Sequence, residues 1–402
     1  MTGTRHPVTS WETDFDFLDE EYTADPFSIW QHLRDRCPVA HTDRYHGVYM
    51  PTRYEDIAAV AYDTDHFSSR MVTVNQVHPD DVRFVSPPIT SDPPEHSWSR
   101  RILLPAFSPK AIDRWEPVTR QIAADLADAV DPAAGCDAAV DYAQHIPVKV
   151  IARMLGVPEQ DGDRFRAWIH DVLEEGPGDP DVSRGAGREM LDYLIGHVER
   201  HRDEPADDLI TFLLDARVDG APLADRHIYG TVLLLLVAGI DTTWSSIGSA
   251  LWHLARIDAD RERLVAEPEL IPTAVEEMLR AYAPVTMARY VAADTELAGC
   301  PVSAGQRLLL PFPAGNRDPQ VFDVADQVVI DRAENRHLAF GLGIHRCLGS
   351  NLARMEITVA LQEWLARFPV FVLSDPEAVR WSAGQIRGPR TLPVSFSRSD
   401  GA

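Results

Sequence analysis

The segment His227 to Arg256, HIYGTVLLLLVAGIDTTWSSIGSALWHLAR, constrains the fold more than any other stretch of the chain. It is apolar around most of its circumference, so it predicts a buried helix around which the remaining elements must pack. Its longest unbroken apolar run, Val232 to Ile240, is far shorter than the roughly 20 residues a bilayer requires. The middle of the segment reads Ala238-Gly239-Ile240-Asp241-Thr242-Thr243. Glycine there is about 1 kcal/mol less favourable than alanine, and an acid with two hydroxyls in a buried helix needs partners. Either a bulky group approaches the helix and disturbs its hydrogen bonding, or the threonines bond to their own backbone.

Helical periodicity also marks Glu116 to Val130, Val148 to Leu155, Glu189 to Arg202 and Asp207 to Leu214. Asp92-Pro93-Pro94-Glu95 reads as a capped helix start, Ile271-Pro272 opens another helix, and Asn351 to Phe368 forms a third. Strand-like alternation is sparse: Tyr45 to Pro51, Arg289 to Leu297, Gln306 to Leu310 and Val370 to Leu373. The class is therefore mainly α with small β-sheets. Two long loops are expected, Arg70 to Ser91 and Gly176 to Gly187. At about 150 residues per domain, 402 residues suggest two or three domains, but no linker divides the chain.

The net charge of −24 argues against nucleic acid and anionic lipid as partners. Cys37, Cys136, Cys300 and Cys347 are far apart and form no CxxC pair. That spacing fits a reducing, cytoplasmic setting better than a disulfide framework. No basic-then-apolar leader opens the sequence.

The strongest local signal is Phe340-Gly341-Leu342-Gly343-Ile344-His345-Arg346-Cys347-Leu348-Gly349, a glycine-rich loop around one cysteine, immediately before a helix. Glycines permit close approach of backbone to a ligand, and loop amides favour a thiolate. One cysteine without a second sulfur suits a metal that brings its other ligands, as haem iron does. An inert buried cysteine, or zinc held with His345 and His337, is the competing reading.

This loop resembles the haem-binding loop of the cytochrome P-450 monooxygenases, in particular the bacterial soluble, camphor-hydroxylase-like members. Three further motifs occur in the family's order: the Ala238–Thr243 stretch, Glu277-Met278-Leu279-Arg280 as ExxR, and Asp92-Pro93-Pro94-Glu95-His96 with Arg100. The resemblance covers essentially the whole chain and implies one haem-thiolate domain over residues 1–402. It assigns haem b to the fold, with Cys347 as axial ligand and Phe340, Gly341 and Gly349 around the sulfur. It assigns His96, Arg100, Arg289 and His345 to the two propionates. Met287 stands where relatives can hold a propionate-contacting acid. It makes Asp241 and Thr242 the proton-handling pair, with Gly239 leaving room for dioxygen, and Glu277 with Arg280 a structural ion pair. The third member of that network is usually an arginine where this chain has Gln327, leaving Arg332 or Arg317 as substitutes. The substrate pocket is implied at Phe84, Val85, Ile89, Leu234, Val237, Ala238, Gly239, Val285, Met287 and Ile386, mostly apolar positions that suit a small or medium apolar organic substrate.

The implied activity is insertion of one oxygen atom from dioxygen. Its electrons would come from a ferredoxin and an NAD(P)H-dependent ferredoxin reductase, docking through Arg100, Arg101 and Arg346. A peroxygenase, an oxidative-coupling catalyst and a non-catalytic haem sensor are the alternatives. Peroxide-using relatives tend to lack the acid–alcohol pair, and a sensor would not need it.

Overall fold

The computed structural model describes residues 6–74 and 85–396. Eight helices matter for the site and are numbered here in chain order. They are α1 (Pro26–Arg36), α2 (Glu95–Leu103), α3 (Glu116–Asp128), α4 (His145–Leu155), α5 (Pro180–Asp203), α6 (Asp225–Leu254), α7 (Ile271–Ala281) and α8 (Ser350–Arg367).

The predicted central helix is α6, 30 residues without a break. Its length would cross a bilayer, but 72% of its most apolar window is buried inside the fold. Helix α6 packs on α4 and α8, and α8 also packs on α3 and α7. The main core joins these helices through residues such as Ile151, Leu236, Ile240, Ile247, Met278 and Trp364. The hydrophobic effect places α6 at the centre because it has no polar face to give to water.

The largest sheet has five strands in the order β1-β2-β5-β4-β3, where β1 is Val39–Thr42, β2 Val48–Pro51, β3 Phe67–Ser68, β4 Thr286–Val291 and β5 Arg307–Pro311. Strands β2 and β5 run parallel, and the other neighbours run antiparallel. β5 is buried along its whole length, which is why Leu308-Leu309-Leu310 reads as a continuous apolar run rather than an alternation.

Four expectations are corrected. The segment from Gly176 is not one long loop, because α5 begins at Pro180, N-capped by Asp179, whose side chain accepts from the Asp181 amide. Tyr45 and His46 do not open β2. Both have positive φ, 55° and 67°, in a tight turn before it. Arg289 to Leu297 divides into β4 and a separate strand, Thr295–Leu297. Asp92 does not cap α2 with its side chain. Its carboxylate accepts from the Ser68 hydroxyl and the Ser69 amide, tying α2 to β3.

Candidate active site

The cysteine loop is held by its own backbone and by shape. The Cys347 amide donates to the Phe340 carbonyl at 2.7 Å. Gly341 and Gly343 both have φ of +65°, and a Cβ on Gly343 would lie 2.5 Å from the Ala61 carbonyl oxygen. Only glycine relieves both constraints at 343. The Cys347 side chain keeps accessible surface, yet chain atoms crowd it closely enough that burial pushes its thiol up. The Gly349 amide and Arg100, Arg346 and Arg354 pull in the opposite direction. Arg354 stacks over the Phe340 ring at 4.4 Å and pairs with Glu276. Glu276 also takes His337, and among the described residues no three His, Cys, Asp or Glu side chains could hold a metal ion together.

His96, Arg100, Arg289 and His345 converge from three parts of the chain. The His96 and His345 rings stand 4.2 Å apart. Burial, then Arg289, His96 and Arg100, drive the His345 pKa down to about 2. Arg289 is 4% exposed, and its guanidinium bonds to the carbonyl of Ala288. Burial lowers its pKa to about 10, with Asp92 opposing. Arg100 donates to the Arg346 carbonyl. None of the four has an ion-pair partner among the described residues, and Nε2 of both histidines is buried without a hydrogen bond. Desolvated cations and orphaned ring nitrogens beside a cysteine loop are destabilising unless anionic acceptors meet them. The two carboxylates of a haem satisfy that requirement, so the residues present fit the cofactor.

Helix α6 carries an interruption in its buried surface. Leu234 and Val237 are half-buried and Ala238 is exposed, on a helix otherwise buried from Thr231 to Ile240 except at Gly239. The Thr242 hydroxyl donates to the Ala238 carbonyl at 3.0 Å, the local pattern expected of a mid-helix threonine. A Cβ on Gly239 would lie 3.1 Å from Cγ1 of Ile151 on α4, so this glycine lets α4 pack closely on α6.

Asp241 is 1% exposed. Its counter-charge is Arg390, a residue that sequence reading missed because it lies 149 positions away. The Arg390 Nη2 to Asp241 Oδ1 distance is 2.7 Å. The approach falls outside hydrogen-bond angles, so both Asp241 oxygens lack an aligned donor. Burial raises the Asp241 pKa to about 6, and Arg390 opposes the rise. Arg390 also donates to Glu174 at 2.6 Å and to the Ser245 hydroxyl at 3.0 Å, and stacks over Trp244. Glu174 in turn lies 3.8 Å from His170, whose side chain is 51% exposed. The strand carrying Arg390 reaches α6 because Gly388 and Gly248 permit it. A Cβ on Gly388 would lie 2.3 Å from Ser245 Cβ, and one on Gly248 2.8 Å from Pro389.

Glu277 and Arg280 are both fully buried and meet in a two-point pair at 2.8 and 2.9 Å. Arg332 is the third member, donating to Glu277 at 2.9 Å. Gln327 contributes its backbone carbonyl to Arg280, and Arg317 bonds instead to the Ala281 carbonyl. Burial raises the Glu277 pKa, but Arg280, the Val329 amide and Arg332 outweigh it, and the net shift is downward.

Of the pocket positions, Phe84 lies outside the described residues. Val285 and Ile386 are brought together as a bridge pair, and Met287 sits in β4 opposite Leu310. Val85 lies directly on α6: a Cβ on Gly230 would fall 1.9 Å from the Val85 carbonyl oxygen, and Thr231 donates to the Pro87 carbonyl. Gly230 was missed. Its only signal was one glycine among apolar neighbours. Ile89 is half-buried in the turn that follows.

A lone cysteine in a glycine loop, beside two arginines and two histidines that have no ion-pair partner among the described residues, fits a haem-thiolate protein. Comparison with known proteins agrees. A model of the family "Cytochrome P450" matches residues 185–382. The polyketide biosynthesis cytochrome P450 PksS of Bacillus subtilis is 32% identical over 94% of this chain and 98% of its own. Its solved structure superposes with a TM-score of 0.88, covering 96% of this chain and all of the other. The mycinamicin IV hydroxylase/epoxidase of Micromonospora griseorubida is 35% identical over 90% of this chain and 93% of its own. CYP109E1 of Bacillus megaterium, solved with testosterone, gives a TM-score of 0.86 at 31% identity, over 94% of this chain and all of the other. The chain belongs to the cytochrome P450 family, whose members use haem with an axial cysteine thiolate, and it is a monooxygenase by kind.

Proposed function

We propose that residues 1–402 form one cytoplasmic catalytic domain that inserts an oxygen atom from dioxygen into a medium-sized apolar organic molecule. A ferredoxin and its NAD(P)H-dependent reductase supply the electrons. A relative named for polyketide biosynthesis, one named as a mycinamicin IV hydroxylase/epoxidase and one solved with testosterone support a substrate of about that size. The half-buried apolar surface of Leu234, Val237, Val285 and Met287 is compatible with them.

Cys347 would hold the haem iron through its thiolate, and His96, Arg100, Arg289 and His345 would hold the propionates. When bound, haem supplies an iron that activates dioxygen. The chain's own residues supply protons and exclude bulk water. Thr242 releases the Ala238 carbonyl to hold a water with its hydroxyl. Asp241 takes up a proton, aided by a pKa near 6, and passes it toward that water. The observation that carries this reading is the Asp241 carboxylate, buried, lacking an aligned donor, and linked through Arg390 and Glu174 to half-exposed His170. A peroxygenase or a haem sensor has no use for such a path.

Thr242→Ala should retain the red-shifted carbon monoxide band of thiolate-ligated haem while product formed per NAD(P)H falls and hydrogen peroxide rises. Loss of one acid–base participant typically lowers rate about 10²–10⁴-fold. Cys347→Ala should abolish the band. Turnover that needs added peroxide and ignores Thr242→Ala would instead establish the peroxygenase.

A further inference from the structure

A second cleft lies away from the cysteine loop, at the far end of α6. It has a volume of about 350 Å³, and Phe27, Trp252, Tyr282 and Trp381 form its aromatic walls, with Arg256 and Arg387 among its lining residues. Trp252 meets Trp381 edge-on at 5.1 Å and Tyr282 edge-on at 5.6 Å. The Arg256 guanidinium lies over Trp252 at 4.2 Å, and that of Arg387 lies over Trp381 at 4.4 Å.

The charge pattern is unusual for this protein. The chain carries 62 acids against 38 lysines and arginines, yet neither Arg256 nor Arg387 has a carboxylate within ion-pair distance among the described residues. Arg387 gives hydrogen bonds to the Thr23 and Ala24 carbonyls. The Arg256 side chain makes none among the described residues. Arg387 thus spends two of its N–H groups on carbonyls, whereas the Arg256 guanidinium, set over the Trp252 ring, keeps its N–H groups for a planar oxyanion. Asp25 also borders the cleft, but its carboxylate caps α1 by accepting from the Phe27 amide.

We propose that this cleft is a binding site for a planar aromatic carboxylate, separate from the haem pocket. The ring would pack in the aromatic corner and the carboxylate would take the N–H edge of Arg256, a charge-assisted and directional contact, with Arg387 adding positive charge to the lining. The cleft backs onto the wall of the substrate pocket. The Arg387 amide donates to the Pro284 carbonyl, and the adjoining residues Val285 and Ile386 are the bridge pair of that wall.

The test is calorimetric titration of the haem-loaded protein with 2-naphthoate, with an azole inhibitor saturating the haem pocket throughout. Binding of naphthoate should persist under the azole. The neutral isostere 2-acetylnaphthalene should bind at least about 10-fold more weakly, and Arg256→Gln should weaken naphthoate by a similar factor, because each removes a charge-assisted hydrogen bond. Arg256 is exposed, so its replacement leaves the fold and the carbon monoxide band intact. Loss of naphthoate binding under the azole would locate the ligand in the haem pocket and overturn the proposal. Equal binding of the neutral probe, or no binding at millimolar concentration, would overturn it too.

Discussion

At the scale of one residue, Asp241 is the buried acid on which the proposed proton path turns. A carboxylate in a helix interior is unfavourable when charged, and Arg390 offsets only part of that cost, so the acid holds its proton up to a pKa of about 6. The sign of the resulting pH dependence follows. The folded-state pKa lies above the unfolded value, so between about pH 4 and 6 the folded state binds the extra proton. Asp241 therefore weighs least on stability below that window, and its full destabilisation is present above it. Asp241→Asn removes the titration. The thermal midpoint of Asp241→Asn minus that of the parent should grow more positive from pH 5 to pH 8, by the equivalent of a few kcal/mol at most. A difference that stays flat with pH would show that Asp241 remains ionised throughout. The acid and its threonine neighbour were legible as a pair in the sequence. Arg390, Glu174 and His170 were not, because nothing local marks an arginine on a late strand as the partner of a helix acid far earlier in the chain.

Glycine decides how closely elements approach α6. Gly230 lies under the Val85 carbonyl, Gly248 under Pro389, and Gly388 over Ser245. The first contact sets where the Val85–Ile89 segment crosses the helix, and the other two set Arg390 against Asp241. Gly230→Ala places a methyl group 1.9 Å from a carbonyl oxygen, so backbone must move. Overpacking of this kind destabilises by about 1–3 kcal/mol. The thermal midpoint should fall by several degrees, and apolar ligands should bind more weakly because the displaced segment carries Val85 and Ile89. Unchanged midpoint and affinity would mean that the segment yields freely. Helix α7 makes the complementary point. ExxR announced the Glu277–Arg280 pair, since residues three apart share a helix face. The choice of Arg332 over Arg317 depended on which loop carbonyls each guanidinium could reach, and sequence spacing holds no such information.

At the scale of the whole molecule, a net charge of −24 surrounds the pair in which Arg100, half-buried, donates to the carbonyl of exposed Arg346. The proposed acidic electron donor would be repelled by most of the surface and drawn to such a cationic pair. Reduction by a ferredoxin should slow as salt rises from low to physiological strength, and Arg346→Glu should slow it further without altering substrate affinity. A rate independent of salt and of Arg346→Glu would remove this docking face. The sequence by itself determined the class of fold, the central helix, the cysteine loop, the ExxR pair and the acid–alcohol pair. Those features are local: an apolar circumference, a glycine pattern and a helical spacing act over a few turns of chain. Tertiary structure alone decided the partner of Asp241, the third member of the Glu277 network, the contact of Gly239 with Ile151 on α4, and the convergence of His96, Arg100, Arg289 and His345. Each of those is a meeting of side chains from distant segments, and close packing of the core, which no short stretch of sequence encodes, selects which distant groups meet.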